Sequence, residues 1–264
     1  MCTTCGCSDE HSHVHDHGGD HFHPHVHDHV HIDDGSYAHS VRRAPPKRSV
    51  SLQAAVLAKN DAIAATNRAF FDGSQIAAFN LMSAPGSGKT ALLVALIGTL
   101  RDRLPIRVIE GDQETARDAE RIRAAGVPAL QINTGTGCHL DAEMLKTALG
   151  ELDPPPRSLL LIENVGNLVC PALFDLGERA KIVVMSVTEG EDKPLKYPHM
   201  FRGARALVLT KTDLLPHLDF DAGDCIANAR RINPQLRVFS VSARTGVGIA
   251  PLADWLGSQI GVRA

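Results

Sequence analysis

Ser83-Ala84-Pro85-Gly86-Ser87-Gly88-Lys89-Thr90 puts two glycines ahead of a lysine and a hydroxyl, at a spacing suited to holding phosphate. An apolar run, Ile76 to Leu81, precedes it, and another, Ala91 to Leu100, follows. Strand, Gly-rich turn and helix is the order a phosphate loop needs, because backbone N–H groups then converge on phosphate oxygens. Lys89 is expected to reach the β- and γ-phosphates, and Thr90 to offer its hydroxyl to Mg²⁺. Ser83 stands where the usual pattern has its first glycine. Gly86, Ser87 and Gly88 still let the backbone approach a phosphate closely.

Three further stretches end apolar runs in polar residues. In Val108-Ile109-Glu110-Gly111-Asp112-Gln113-Glu114-Thr115 a strand runs into an acid-rich loop. At the carboxyl edge of a parallel sheet that loop faces the ligand crevice, where Asp112 is expected to hold Mg²⁺, directly or through water, or to position the attacking water. In Leu160-Leu161-Ile162-Glu163-Asn164-Val165-Gly166-Asn167, aliphatics followed by an acid have the form of a Walker B strand. Glu163 then lies beside Mg²⁺ and Gly166 near the γ-phosphate, in a loop that orders with triphosphate and relaxes with diphosphate. Leu207-Val208-Leu209-Thr210-Lys211-Thr212-Asp213 resembles the guanine-recognition pattern Asn-Lys-x-Asp, with Thr210 for Asn. Asp213 can accept from two N–H groups on the guanine edge. Adenine has no matching donors and would leave that carboxylate unpaired. The Lys211 stem can lie over the base, and Ser242-Ala243-Arg244 can complete its pocket. GTP is thus the expected substrate, with Lys89, Asp112 and Glu163 as the catalytic candidates.

Soft-metal ligands form a second set. Cys138-His139 follows a Gly-rich turn, which argues for exposure and metal binding, and Cys170 follows the Gly166 loop directly. Three ligands make an incomplete site that a two-fold axis would double. Cys225 reads instead as a core residue. At the N-terminus Cys2, Cys5 and Cys7 can close around one metal ion, with the α-amino group as a possible fourth ligand for square-planar nickel. His11, His13, His15, His17, His21, His23, His25, His27, His29 and His31, mixed with Asp16, Asp20 and Asp28, suit several weak metal sites and cannot form a packed core.

The elements that must position these groups follow from the rest of the 264 residues. A hydrophobic fraction of 44% supports a core, and a formal charge of −3 gives no argument for nucleic acid or an anionic membrane. No apolar segment has signal-peptide form or reaches transmembrane length, so the chain is expected to be cytoplasmic, with its thiols reduced. Residues 1–48 read as a metal-binding tail and linker, and 49–264 as one nucleotide-binding α/β domain. A helix capped by Ser49 or Ser51 should run to about Phe71, with Leu52, Val56, Ile63 and Phe70 on one face. Strands are expected near 76–82, 106–110, 128–132, 158–163, 181–187, 206–210 and 236–241. Helices are expected near 88–103, 115–125, 138–150, 220–231 and 249–260. Continuous aliphatic strands predict a mostly parallel sheet covered by helices on both faces.

These residues, together with Glu163 to Pro171 and Thr188-Glu189-Gly190-Glu191-Asp192-Lys193-Pro194-Leu195-Lys196-Tyr197-Pro198, resemble the HypB-type GTPases that help insert nickel into nickel–iron hydrogenases. The resemblance implies a P-loop G domain of the SIMIBI class, shared with signal-recognition and nitrogenase-iron-protein NTPases. It implies a homodimer promoted by nucleotide and metal, a tight nickel site at Cys2, Cys5 and Cys7, and a nickel/zinc site at Cys138, His139 and Cys170. The implied partners are HypA, a small zinc-containing nickel protein, and the hydrogenase large-subunit precursor. A related urease-accessory GTPase and a nickel storage or detoxification protein are the alternative readings.

Overall fold

Aliphatic runs separated by helical stretches build a three-layer α/β fold. The computed structural model describes residues 47–112 and 117–261, with side chains from Ala54 onward. In order the elements are α1 (Lys47–Ser74), β1 (Ala77–Ser83), α2 (Lys89–Leu100), β2 (Ile106–Asp112), α3 (Arg117–Ala124), β3 (Ala129–Asn133), α4 (Ala142–Leu152), β4 (Leu159–Glu163) and α5 (Cys170–Leu173). Then come β5 (Ala180–Ser186), α6 (Lys193–Lys196), α7 (Pro198–Arg202), β6 (Ala204–Thr210), a 3-10 turn at Thr212–His217, α8 (Ala222–Ile232), β7 (Arg237–Ser240) and α9 (Ile249–Gly257). The seven strands lie in the order β3-β2-β4-β1-β5-β6-β7, every pair parallel.

Side chains alternate across each strand, so a continuous aliphatic run feeds two cores at once. Phe79, Leu81, Leu161 and Val208 pack with Leu93 and Leu96 of α2 and Leu252 and Trp255 of α9 on one face. On the other face Ala78, Leu160 and Ile162 meet Phe71 of α1 and Leu145 of α4, while Val183, Met185 and Leu207 meet Phe201 of α7 and Cys225 of α8. Each fully buried aliphatic side chain stabilises by about 2 kcal/mol, so this double burial holds the sheet as a rigid platform. Asn80 of β1 also points to the second face, between its two apolar clusters.

All seven expected strands form. Departures fall at helices. The expected helix at 138–150 begins only at Ala142, because Asp141 caps it by accepting from Met144 N at 2.8 Å. Gly137 to Leu140 therefore stay irregular, free to present Cys138 and His139. Helices α5, α6 and α7 are too short to show periodicity, and each opens with a proline, at Pro171, Pro194 and Pro198.

Helix α1 starts at Lys47, ahead of the expected serine caps, and its buried face differs from the expected one. Val56 and Phe70 are exposed, whereas Asn60, Ala64, Asn67 and Phe71 are buried. Two asparagines replace aliphatics at the contact. Asn60 donates to Asp175 O and accepts from Ala142 N, and Asn67 donates to Ala142 O and Leu176 O. Amides are needed because the surface under α1 is backbone, the start of α4 and the turn before β5. Among the described residues no helix is long and apolar enough to cross a membrane.

Gly111 of β2 allows a close approach that matters for the site. A Cβ there would lie 2.7 Å from Leu140 Cγ, and Leu140 is fully buried with no room to retreat. Gly111→Ala should therefore cost about 1–3 kcal/mol through overpacking, seen as a lower urea midpoint with an unchanged slope.

Candidate functional site

The phosphate loop joins β1 to α2. Gly86 and Gly88 have φ of +72° and +92°, a backbone region that side-chain-bearing residues avoid, which explains why both glycines remain where the first is replaced. That replacement has a use: Ser83 Oγ accepts from Lys89 Nζ at 2.6 Å and donates to Ala84 O, so it holds the ammonium beneath the loop. Burial lowers the Lys89 pKa, with Glu163 opposing the shift. A cavity of about 420 Å³ opens over the loop, with Glu110, Asp112, Arg121 and Glu163 in its wall.

Glu163 ends β4 and accepts from Thr90 Oγ1 at 3.0 Å. Burial pushes its pKa up to about 7 despite Lys89 and that hydrogen bond. Strand register sets Glu110 directly beside it on β2. Burial, then Glu163 and Asp112, push Glu110 up to about 8. Glu110 Oε2, Glu163 Oε2 and Ser87 Oγ are buried without a protein hydrogen-bond partner. Carboxylates and hydroxyls beside a phosphate loop make a hard-oxygen donor set, which a divalent cation such as Mg²⁺ fits. The sequence pattern singled out Asp112 and passed over Glu110, although period-two alternation from Val108 puts Glu110 on the cavity side. Arg121, four residues into α3, also escaped notice. Gly166 packs so tightly against the loop that a Cβ there would lie 3.1 Å from Pro85 Cα.

The residues expected to recognise a base line up beyond the cavity. Thr210 Oγ1 donates to Ser87 O at 2.6 Å, and Lys211, at φ +59°, donates from Nζ to Gly86 O at 2.7 Å. Thr210 in place of Asn thus ties β6 to the phosphate loop. Asp213 accepts from Ser242 Oγ at 2.6 Å, and this bond holds its carboxyl below the usual range. Ala243 follows in the same turn.

Cys138, His139 and Cys170 come together, their ligand atoms all within 4.8 Å of one another. The two Sγ atoms are 2.9 Å apart, and Cys138 Sγ lies 3.6 Å from His139 Nδ1. Cys138 is buried, contrary to the exposure expected from its Gly-rich flank, because Leu140 draws the segment onto Gly111. Access is by way of half-buried His139, whose ring stacks on Phe174 at 3.8 Å. Burial lowers the His139 pKa, which favours the neutral imidazole a metal needs. Asn167 Oδ1 accepts from Val169 N and Cys170 N and fixes the start of α5. Two thiols and an imidazole suit nickel or zinc. Cys225 is a core residue as expected, packed on Met185 with its thiol pushed up to about 11 by burial. Cys2, Cys5, Cys7 and the ten tail histidines lie outside the described residues.

Residues 77–240 match the family model described as CobW/HypB/UreG, nucleotide-binding domain. The chain is 58% identical over 218 residues to the hydrogenase maturation factor HypB of Rhizobium leguminosarum bv. viciae, covering 83% of this chain and 73% of that one. The crystal structure of HypB from Archaeoglobus fulgidus superposes with a TM-score of 0.72 at 40% identity, over 76% of this chain and 98% of that one. HypB from Helicobacter pylori, solved in complex with nickel, gives a TM-score of 0.71 at 37% identity, over 76% and 94%.

Glu110 folds with a raised pKa, so its contribution to stability is present at low pH and lost as pH rises through about 8. In chelator at pH 7.5, Glu110→Gln keeps the shape without the charge. It should raise the melting temperature of the nucleotide-free protein by ~2–4 °C, about 1 kcal/mol. A lowered melting temperature would show that the carboxylate stabilises the metal-free fold.

Proposed function

This chain belongs to the HypB family of hydrogenase maturation factors, and from that membership we propose that it is a GTP-hydrolysing metallochaperone that carries nickel to a nickel–iron hydrogenase large-subunit precursor. Nickel is the cargo and GTP the switch. The observation that carries this reading is an adjacency in the chain. Glu163, which ends β4 and touches the phosphate-loop hydroxyl of Thr90, and Cys170, which starts α5 and touches Cys138, are the two ends of one short connection. Whatever moves one end of that segment acts on the other.

Lys89 neutralises charge on the β- and γ-phosphates, and the backbone of Ser83 to Thr90 cradles them. Thr90, Asp112 and Glu163 hold Mg²⁺, which when bound offsets the charge that develops between those phosphates during transfer. Asp112 otherwise orients the attacking water. Asp213 accepts from the guanine edge, Lys211 lies along the base, and Ser242 and Ala243 close the pocket. The loop at Gly166 orders with GTP and relaxes with GDP. Cys138, His139 and Cys170 take nickel or zinc, and the same three ligands of a second copy complete the site across a two-fold axis. The homodimer therefore forms with nucleotide and metal. Cys2, Cys5 and Cys7 make a tight nickel site, the tail histidines a weak store, and a HypA-type protein is the transfer partner. Tail and GTPase domain divide near residue 48, and the work is done in the cytoplasm.

Lys89→Ala should reduce GTP hydrolysis by at least ~100-fold and abolish hydrogenase maturation, while nickel binding by the tail stays intact. Hydrolysis of GTP against ATP, with and without Ni²⁺, checks the rest. A storage protein would bind much nickel yet show no nickel-dependent change in hydrolysis or dimerisation.

A further inference from the structure

A line of buried polar groups runs between the two apolar clusters on one face of the sheet. Asn164, the residue after Glu163, lies within it. The Asn164 Oδ1 accepts from Leu140 N at 3.1 Å and from Val165 N at 3.0 Å. Its Nδ2 donates to Asn80 Oδ1 at 3.1 Å, and Asn80 Nδ2 donates to Glu178 Oε1 at 3.2 Å. Glu178 Oε2 accepts from Leu176 N at 2.7 Å, and Glu178 Oε1 lies 4.0 Å from Lys181 Nζ. Lys181 in turn donates to Ala172 O at 2.8 Å and Phe174 O at 2.9 Å. Asn80, Asn164 and Glu178 are all buried.

The two ends of this line are the two halves of the metal cluster. Leu140 follows Cys138-His139 directly. Ala172 and Phe174 belong to the turn that begins at Cys170, and the Phe174 ring stacks on His139. The middle of the line is covalently fixed to the nucleotide site: Asn164 lies between Glu163, bonded to Thr90, and Gly166, pressed on Pro85. A movement of residues 163–166 must carry Leu140 and Asn80 with it. Otherwise it strands buried donors and acceptors, each of which then carries its full desolvation cost. A cost of that size is enough to change affinity at a second site by roughly 5- to 150-fold, so the amide is strong enough to link them.

We propose that Asn164 is the positioning residue that carries the state of the nucleotide loop to the metal cluster, through Leu140 to Cys138 and His139, and through Asn80, Glu178 and Lys181 to the turn that starts at Cys170. It rests on the reading that nucleotide acts on the loop after Glu163. Its Oδ1 is spent on Val165 N and on Leu140 N, in the segment that carries Cys138 and His139, and its Nδ2 on Asn80, from which Glu178 and Lys181 lead to the turn that starts at Cys170.

The test uses the full chain and reads the cluster alone. Free Ni²⁺ is set with a chelator buffer, and protection of Cys138 and Cys170 from N-ethylmaleimide is followed by peptide mass spectrometry. Each nickel midpoint is measured with Mg²⁺·GDP and with a non-hydrolysable Mg²⁺·GTP analogue. In the natural protein the two midpoints should differ by at least ~5-fold. In Asn164→Ala they should agree within ~2-fold, while Asn164→Asp, which keeps the oxygen facing Leu140 N, should retain part of the difference. A purely structural role would shift both midpoints equally and leave their ratio unchanged, which overturns the proposal. Equal midpoints in the natural protein would overturn the nucleotide-switch reading itself and the proposal with it, before any substitution is made. If circular dichroism shows Asn164→Ala unfolded, Asn80→Ala replaces it. That residue lies outside the cavity wall and leaves the Asn164–Leu140 bond in place, so the ratio should fall by at least half; an unchanged ratio overturns the relay.

Discussion

The parallel register of β2 against β4 sets Glu110 beside Glu163 at the floor of the phosphate site, and much else follows from that pairing. Burial costs both acids their hydration, and Glu163 also repels Glu110, so each is pushed toward its neutral form. Lys89 is the nearest counter-charge, but it too is buried and is held by Ser83 rather than by either acid. The floor of the site is therefore tuned to a state with more positive charge than the protein supplies. A divalent cation would meet that requirement and would in turn offset the negative charge of a phosphate chain, so electrostatics favours binding the two together.

The opposite face of the sheet treats polarity differently. There the buried groups are matched almost completely. Asn60 and Asn67 of α1 hold the first residue of α4, and Asn80, Asn164 and Glu178 pass hydrogen bonds along the sheet. Apolar packing tolerates small slides, whereas a buried amide that loses its partner carries the full desolvation cost. The seam thus fixes register where the clusters on either side would permit drift. That precision suits a Cys–His cluster whose members come from two separated segments.

How much of this the sequence discloses depends on the kind of signal. All seven strands are legible because most are aliphatic runs set between helical stretches, and the placing of Lys89, Thr90, Glu163, Lys211 and Asp213 is legible because strand ends and glycines fix it. The cluster of Cys138, His139 and Cys170 is legible from residue type and from the resemblance to a known family. The buried face of α1 is not, because hydrophobic periodicity cannot reveal a helix docked through asparagines on backbone. Asn164 is not either: beside an acid and a glycine it looks like an ordinary loop residue, and its partner Asn80 interrupts a run that otherwise reads as pure core. Burial of Cys138 depends on Leu140 fitting over Gly111, a contact between distant segments that no local pattern encodes.

The place of β1 in the sheet governs when the site can exist at all. Its neighbours are β4 and β5, so the strand that ends in the phosphate loop has no partner until residue 163 has been made and lacks its second until residue 186. Thr210 and Lys211, which brace the loop, come later still. At roughly 5–20 residues per second, synthesis leaves the loop without a sheet for several seconds. Non-local pairing of this kind is also slow to search once the chain is free. Cys138 meets Cys170 only when β4 is in place. Phosphate loop and Cys–His cluster thus wait on the same strand, and a nascent chain halted before β4 has neither the sheet partner of the loop nor Cys170.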